Sequence, residues 1–371
     1  MATAVASAHD AGAQPRPRLR HSAALAPNGL EPVMKTLHEL EEALAAPSDG
    51  LIRDMRALDG DLVVLGAGGK LGPSLVSLAV RAIERAGTGA TVYAVSRYGS
   101  AASREAIERT GAQIVSADLS DDRALDDLPD AANVVFLVGA KFGSTGAEAA
   151  TWATNAYLPG RVAQRYAGSR IAALSTGNVY PLVPVAGGGS REGDPLGPVG
   201  DYAMSCLGRE RVLTHLAGTT QTPASLIRLN YAVEMRYGVL VDIAREIMAG
   251  RPVDVTTGFA NVVWQGYANE VVLRSLLHAD VPPFVLNLTG PETISIRQVA
   301  SQLAERMGRE VEFTGEEAPT ALLANAARCH GMFGYPALTL DQLIAATADW
   351  VAAGGETLGK PTKFQQRDGK F

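Results

Sequence analysis

Asp61-Leu62-Val63-Val64-Leu65-Gly66-Ala67-Gly68-Gly69-Lys70-Leu71-Gly72 is the stretch that decides the fold. Its short apolar run, bounded by glycines, reads as a strand covered on both faces. Beyond Gly72 the apolar spacing turns helical and stays so to about Ala86. A glycine turn between strand and helix lets the backbone swing tightly and come close to a ligand. The helix then offers free N–H groups and a positive dipole end at the same place. That combination suits a pyrophosphate, and the strand–turn–helix setting separates it from a chance glycine cluster. Gly66, Gly68, Gly69, Lys70, Leu71 and Gly72 are therefore candidate dinucleotide contacts.

Outward from this loop the same alternation repeats. Strands are expected at Thr91–Ser96, Gln113–Ser116, Asn133–Val138, Arg170–Ser175 and Ser225–Leu229. Helices are expected at Ser103–Thr110, Ala147–Tyr166 and Tyr202–Leu216. Apolar strands alternating with helices at this spacing give the α/β class, a Rossmann-type doubly wound parallel sheet. After Asn230 the pattern becomes irregular, which points to a smaller C-terminal α/β substrate lobe, part of it packing back on the sheet. Before the first strand, Leu37, Leu40 and Leu44 share a helical face, and Ser48 is placed to cap a second short helix through Leu58. The expected organisation is a disordered tail over 1–30, a helical segment over 31–60, a dinucleotide-binding domain over 61–230, and the lobe and tail over 231–371.

Composition narrows the function. With 47% hydrophobic and 19% charged residues in 371, the chain can bury a sizeable core. A net charge of -6 without a basic stripe argues against a nucleic-acid partner. No apolar run is long enough to cross a bilayer, so no membrane association is expected. Asp10, Arg16, Arg18 and Arg20 interrupt any signal-peptide core. Cys206 and Cys329 give no disulfide framework, and Cys329-His330 lacks a second pair at metal spacing. The expectation is a soluble, cytoplasmic protein with a small-molecule substrate and no metal.

The second strand ends in Ser96-Arg97, where a site for NAD usually carries an acidic residue for the ribose hydroxyls. A small hydroxyl followed by a cation suits a 2′-phosphate, and Lys70 adds positive charge in the loop. NADP is the expected cofactor, with NAD the alternative.

From Asp61 to Gly308 the chain resembles the extended short-chain dehydrogenase/reductase family, which includes sugar-nucleotide epimerases and dehydratases. Gly66, Gly69 and Gly72 match its three-glycine spacing. Asp118-Leu119 resembles its adenine-contacting pair, and Asn155 its structural asparagine. Ser175-Thr176-Gly177-Asn178-Val179-Tyr180 resembles the segment carrying the catalytic hydroxyl, and Asn287–Ile296 the segment entering the C-terminal lobe. Tyr202 opens what should be a Tyr-x-x-x-Lys motif. The resemblance implies that Tyr202 takes the proton of an alcohol, that Thr176 holds its oxygen, and that hydride passes to a nicotinamide. It also implies a homodimer paired through the helices at Ala147–Tyr166 and Tyr202–Leu216.

The fourth residue after Tyr202 is Cys206, where the family has lysine. Cys206 lies on the same helical face but cannot supply positive charge. A free tyrosine is ionised to about one part in a thousand at pH 7, and a thiolate alongside would lower that fraction. Three readings follow. Lys141, in Val138-Gly139-Ala140-Lys141 after the fourth strand, replaces the missing cation. UDP-galactose epimerases resemble this chain in having lysine there, and the placement makes Gly139 a cofactor contact. In the second reading Tyr202 acts as a neutral hydrogen-bond donor. In the third the protein binds a dinucleotide without turnover, as a regulator. The substrate is expected to be a sugar, sugar acid or related polyol, either oxidised or reduced outright or epimerised or dehydrated with the hydride returned.

Asn178, Tyr180 and Asn230 lie at or just beyond strand ends and are candidate substrate contacts. Cys206 itself reads as a small buried hydrophobe. Arg209, Glu210 and Arg211 read as a solvated helix face. Trp264-Gln265-Gly266-Tyr267 replaces an acidic segment of the family. The tail Lys360–Phe371 either wraps over the fold or a partner, or is disordered.

Overall fold

Residues 34–371 are described by the computed structural model; the tail expected over 1–30 lies outside them. The apolar run after Asp61 is strand β1, Leu62–Leu65, with all four residues buried. Leu62 and Val64 belong to one core cluster and Val63 and Leu65 to another, as a strand covered on both faces requires. Helix α3, Gly72–Ala86, packs Leu75, Ala79 and Ala82 into the first cluster. Ahead of β1 stand α1, Leu37–Leu44, and α2, Asp49–Ala57. Ser48 caps α2 by accepting from Leu51 N, as its position predicts. In α1, Leu40 and Leu44 are buried while Leu37 is exposed.

Strands β2 (Val92–Ser96), β3 (Gln113–Ser116), β4 (Asn133–Phe136), β5 (Arg170–Thr176), β6 (Ala224–Leu229) and β7 (Phe284–Leu288) complete one sheet, with α4 (Ala101–Glu108) between β2 and β3. Its order is β7-β6-β5-β4-β1-β2-β3, and every pairing is parallel. The α/β doubly wound sheet is therefore as expected. β7 comes from beyond Asn230, so the later part of the chain supplies an edge strand. Strand order reverses between β1 and β4, which opens a crevice at their C-terminal ends. Gly66 follows β1 directly, and a Cβ built on it would touch Val138 just after β4 at 3.0 Å.

Two expectations are corrected. The helix expected over Ala147–Tyr166 is α5 (Glu148–Trp152), a π-helical turn (Ala153–Tyr157) and α6 (Leu158–Arg165). Pro159 explains the break. In an α-helix its N–H would bond the Asn155 carbonyl, and proline has none. Arg209 Nε donates to that carbonyl instead, at 3.0 Å. The second correction follows from the first. Helix α7, Gly200–Thr220, buries Arg209 and Glu210, each 4% exposed, rather than presenting them to solvent.

Candidate active site

The glycine loop holds its shape through backbone geometry. Gly66 has φ +90°, a left-handed conformation that favours glycine. Gly66 N and Ala67 N both donate to Val95 O, which ties the loop to β2. A Cβ on Gly68 would lie 2.5 Å from Ser96 Oγ, and one on Gly72 would overlap the Ala67 carbonyl. The start of α3 can thus approach the loop only as glycine. No side chain caps α3, and Pro73 stands in its first turn, so the dipole end is open toward the crevice. Lys70 turns away from Ser96. Its Nζ donates to Ala232 O at 2.7 Å and lies 4.0 Å from the Tyr237 ring centroid. Burial pushes its amine down to about 7.

At the end of β2, Arg97 is exposed, 4.0 Å from Asp118. The Asp118 carboxylate accepts from Ser120 Oγ and Ser120 N, which holds it below the usual carboxylate range. Leu119 is buried in the core.

The loop after β4 is fixed by Asn155, which the π turn presents. Its Oδ1 accepts from Ala140 N at 2.8 Å and its Nδ2 donates to Ala140 O at 2.9 Å and to Ser205 Oγ at 3.0 Å. Arg209 adds bonds to Val138 O, to Leu174 O and to Asn155 Oδ1. A buried guanidinium thus joins the ends of β4 and β5, beside Gly139. The result is a rigid platform for Lys141.

Lys141 Nζ sits among aromatic rings, 4.4 Å from the centroid of Phe371, 5.5 Å from Phe142 and 5.8 Å from Tyr202 and Tyr231. Burial lowers its amine to about 8; Cys206 opposes that change and Lys363 adds to it. Thr176 and Cys206 are the polar neighbours of the Tyr202 hydroxyl. Burial, then Cys206, pushes the phenol up, against the smaller pull of Thr176 and Arg209. The Cys206 thiol is itself raised by burial, and its side chain packs with Val179 and Tyr180. Tyr202 is therefore a neutral hydroxyl in this site, and Cys206 is a small apolar filler.

Lys141, Thr176, Tyr202, Asn178 and Asn230 line one cavity of about 180 Å³. Asn230 is 3% exposed, and neither its Oδ1 nor its Nδ2 has a partner. It follows β6 directly and lies against Gly177, where a Cβ would overlap its Oδ1. An orphaned buried amide costs free energy unless something bonds it. Tyr180 is placed apart from this group. Its hydroxyl donates to Asn287 Oδ1 at 2.8 Å and accepts from Arg228 at 2.7 Å. Arg228 forms a buried ion pair with Glu210 at 2.7 Å, and Ser175 Oγ donates to Glu210 at 2.6 Å. This network braces β5, β6 and α7 beneath the cleft.

Arg209, Tyr231, Tyr237 and Phe371 were not singled out as site residues from the sequence. Arg209 had a signal: Tyr202, Cys206 and Arg209 are spaced i, i+4, i+7, which puts all three on one face. Phe371 had none.

In sheet order and crevice the fold is that of solved sugar-nucleotide epimerases and dehydratases, the fold the resemblance implied. Among solved structures, a UDP-galactose 4-epimerase matches at 18% identity over 79% of this chain and 99% of its own, with TM-score 0.63. A UDP-glucuronic acid 4-epimerase from Bacillus cereus, in complex with NAD, matches at 16% identity over 79% and 99%, TM-score 0.65. A dTDP-glucose 4,6-dehydratase from Streptomyces venezuelae, with NAD bound, matches at 17% over 79% and 97%, TM-score 0.66. No protein-family model matches the sequence, and no curated protein matches it. No helix among the described residues is long and apolar enough to cross a membrane.

Proposed function

We propose that this chain is a nicotinamide-dinucleotide-dependent enzyme acting on a secondary hydroxyl or carbonyl of a sugar, sugar acid or related polyol. The observation that carries the reading is the shared cavity: Thr176 and Tyr202 together on its wall, Lys141 5.8 Å from the Tyr202 ring centroid, and Asn230 with an unbonded amide. The loop from Gly66 to Gly72 fits a dinucleotide, because Gly68 and Gly72 leave no room for a Cβ and the backbone stays bare where the phosphates would approach. When bound, the nicotinamide supplies a two-electron hydride acceptor.

Thr176 and Tyr202 hold the substrate oxygen, and Asn230 and Asn178 hold neighbouring hydroxyls. Oxidation releases the hydroxyl proton to the Tyr202 oxygen while the Tyr202 proton passes through water to the neutral amine of Lys141, 5.8 Å from the ring centroid. Lys141 supplies what Cys206 cannot. With an amine near 8, roughly a tenth of Lys141 is neutral at pH 7 and half at pH 8. The oxidation rate should therefore rise through that range. The same groups serve hydride return, which would give epimerisation or dehydration.

NADP is the proposed cofactor, since Ser96 and exposed Arg97 stand where a 2′-phosphate would lie. A second copy of the chain is the proposed partner, seated on the groove between the Trp152–Gln164 segment and α7, where Trp152 and Tyr157 are exposed. Sedimentation showing only monomer at micromolar concentration would remove the dimer. The deciding experiment is absorbance of reduced nicotinamide with NAD or NADP and a panel of sugars, sugar acids and polyols. Reduction with any member supports the oxidoreductase, and a faster rate with NADP, lost in Arg97→Asp, supports the cofactor choice. Absence of both dinucleotide binding and turnover of every panel member would overturn the reading.

A further inference from the structure

The segment from Thr362 to Phe371 is the least expected part of the cleft. Thr362 N and Oγ1 both donate to Asp242 Oδ2, at 2.7 and 2.6 Å. Phe364 is buried, and Thr257 Oγ1 donates to Gln365 O at 3.2 Å. Arg367 donates twice to Thr320, at 2.7 and 2.8 Å. Gly369, at φ +75°, then lies on Val199 and Gly200 so closely that a Cβ on Gly369 would overlap the Val199 carbonyl. A Cβ on Gly200, at φ +80°, would come within 2.5 Å of Gly369 O. Two glycine backbones interlock, and the chain beyond them enters the cleft.

There Phe371 is 7% exposed. Its ring meets that of Tyr202 edge to face at 5.5 Å, and Ser144 Oγ donates to its carbonyl at 3.4 Å. The hollow between Asn178, Tyr231, Phe259 and Leu322 is filled by Phe364, Gln366 and Phe371 down to about 40 Å³. That is room for a few waters at most. The adjoining cavity of about 180 Å³ is lined by Lys141, Thr176 and Tyr202, the residues proposed to meet the substrate. Ligands in such sheets bind outside the strand ends, which is where the segment lies.

We propose that residues 362–371 are a strap that sets substrate size, confining the substrate to one small polyol or sugar-acid unit by filling the space that a nucleotide diphosphate arm would need. This deepens the catalytic reading above and rests on it. In the strap Phe371 is the specificity wall and Gly369 the hinge pin.

The test uses UDP-glucose as probe, with binding measured by calorimetry on the full chain and on Phe371→Ala and Gly369→Val. Phe371→Ala opens the wall with the anchors intact, and Gly369→Val dislodges the strap by steric overlap. Thermal melting shows that each variant is folded. The expected result is no measurable binding to the unaltered chain and a gain of at least about tenfold in both variants. Binding of UDP-glucose to the unaltered chain as tightly as to the variants would overturn the proposal, as would folded variants that bind no better. Dinucleotide binding and reduction with small polyols are followed on the same samples. Their failure would sink the catalytic reading alone, since the probe measurement does not depend on turnover.

Discussion

Replacing Lys141 by methionine keeps the length and apolar stem of the side chain and removes its charge. Enclosure by Phe371, Phe142, Tyr202 and Tyr231 lowers the amine from 10.5 to about 8, with Cys206 and Lys363 the charged or titratable neighbours. At about 1.4 kcal/mol per pH unit, the charged form costs about 3 kcal/mol. Water reaches part of the side chain, so we expect about 1–3 kcal/mol to be recovered. The sign follows from linkage. The folded amine titrates lower than the unfolded one, so between about 8 and 10.5 the unfolded chain carries more protons and stability rises with pH. Below pH 8 the cost is present in full, and above 10.5 it is gone. Lys141→Met should therefore be the more stable protein at pH 7, with the advantage shrinking toward pH 10.5, and should lose activity throughout. Urea denaturation at pH 7 and pH 10 measures this. A methionine variant no more stable at pH 7, or one whose advantage grows with pH, would refute the claim that the amine is enclosed and stored at a cost for function.

Tyr202→Phe should lower turnover by about 10²-fold or more while leaving dinucleotide affinity within twofold; unchanged turnover would rule out its role in proton transfer. Asn230→Leu should stabilise the fold by about 1–2 kcal/mol, since it removes two unpaired buried atoms, yet raise KM for the polyol about tenfold. A loss of stability there would mean the amide is bonded within the protein. Glu210→Gln should cost about 3–5 kcal/mol in chemical denaturation by leaving Arg228 without its counter-ion, and a loss below about 1 kcal/mol would contradict a buried pair.

Whatever repeats locally is legible in the order of residues. The apolar run 62–65, the glycines from Gly66 to Gly72 and the helical spacing after them settle strand, turn and helix, because each pattern reports a short-range backbone geometry. Gln113–Ser116 comes out with the expected ends, and Arg170–Ser175 gains one residue, Thr176. The pairing of Thr176 with Tyr202 was legible only through resemblance. What tertiary structure alone decided is where charge and shape fall at the cleft. Arg209 reads as solvated from composition, but a carbonyl freed by Pro159 and two strand ends gave its guanidinium a buried set of acceptors. Lys70 was expected to add positive charge in the loop, and its amine reaches Ala232 O. Phe371 and Lys141 meet although they are far apart in the chain. Such contacts leave no periodic trace. They follow from which surfaces remain to be covered once the sheet has closed, a question of packing among distant segments rather than of local preference.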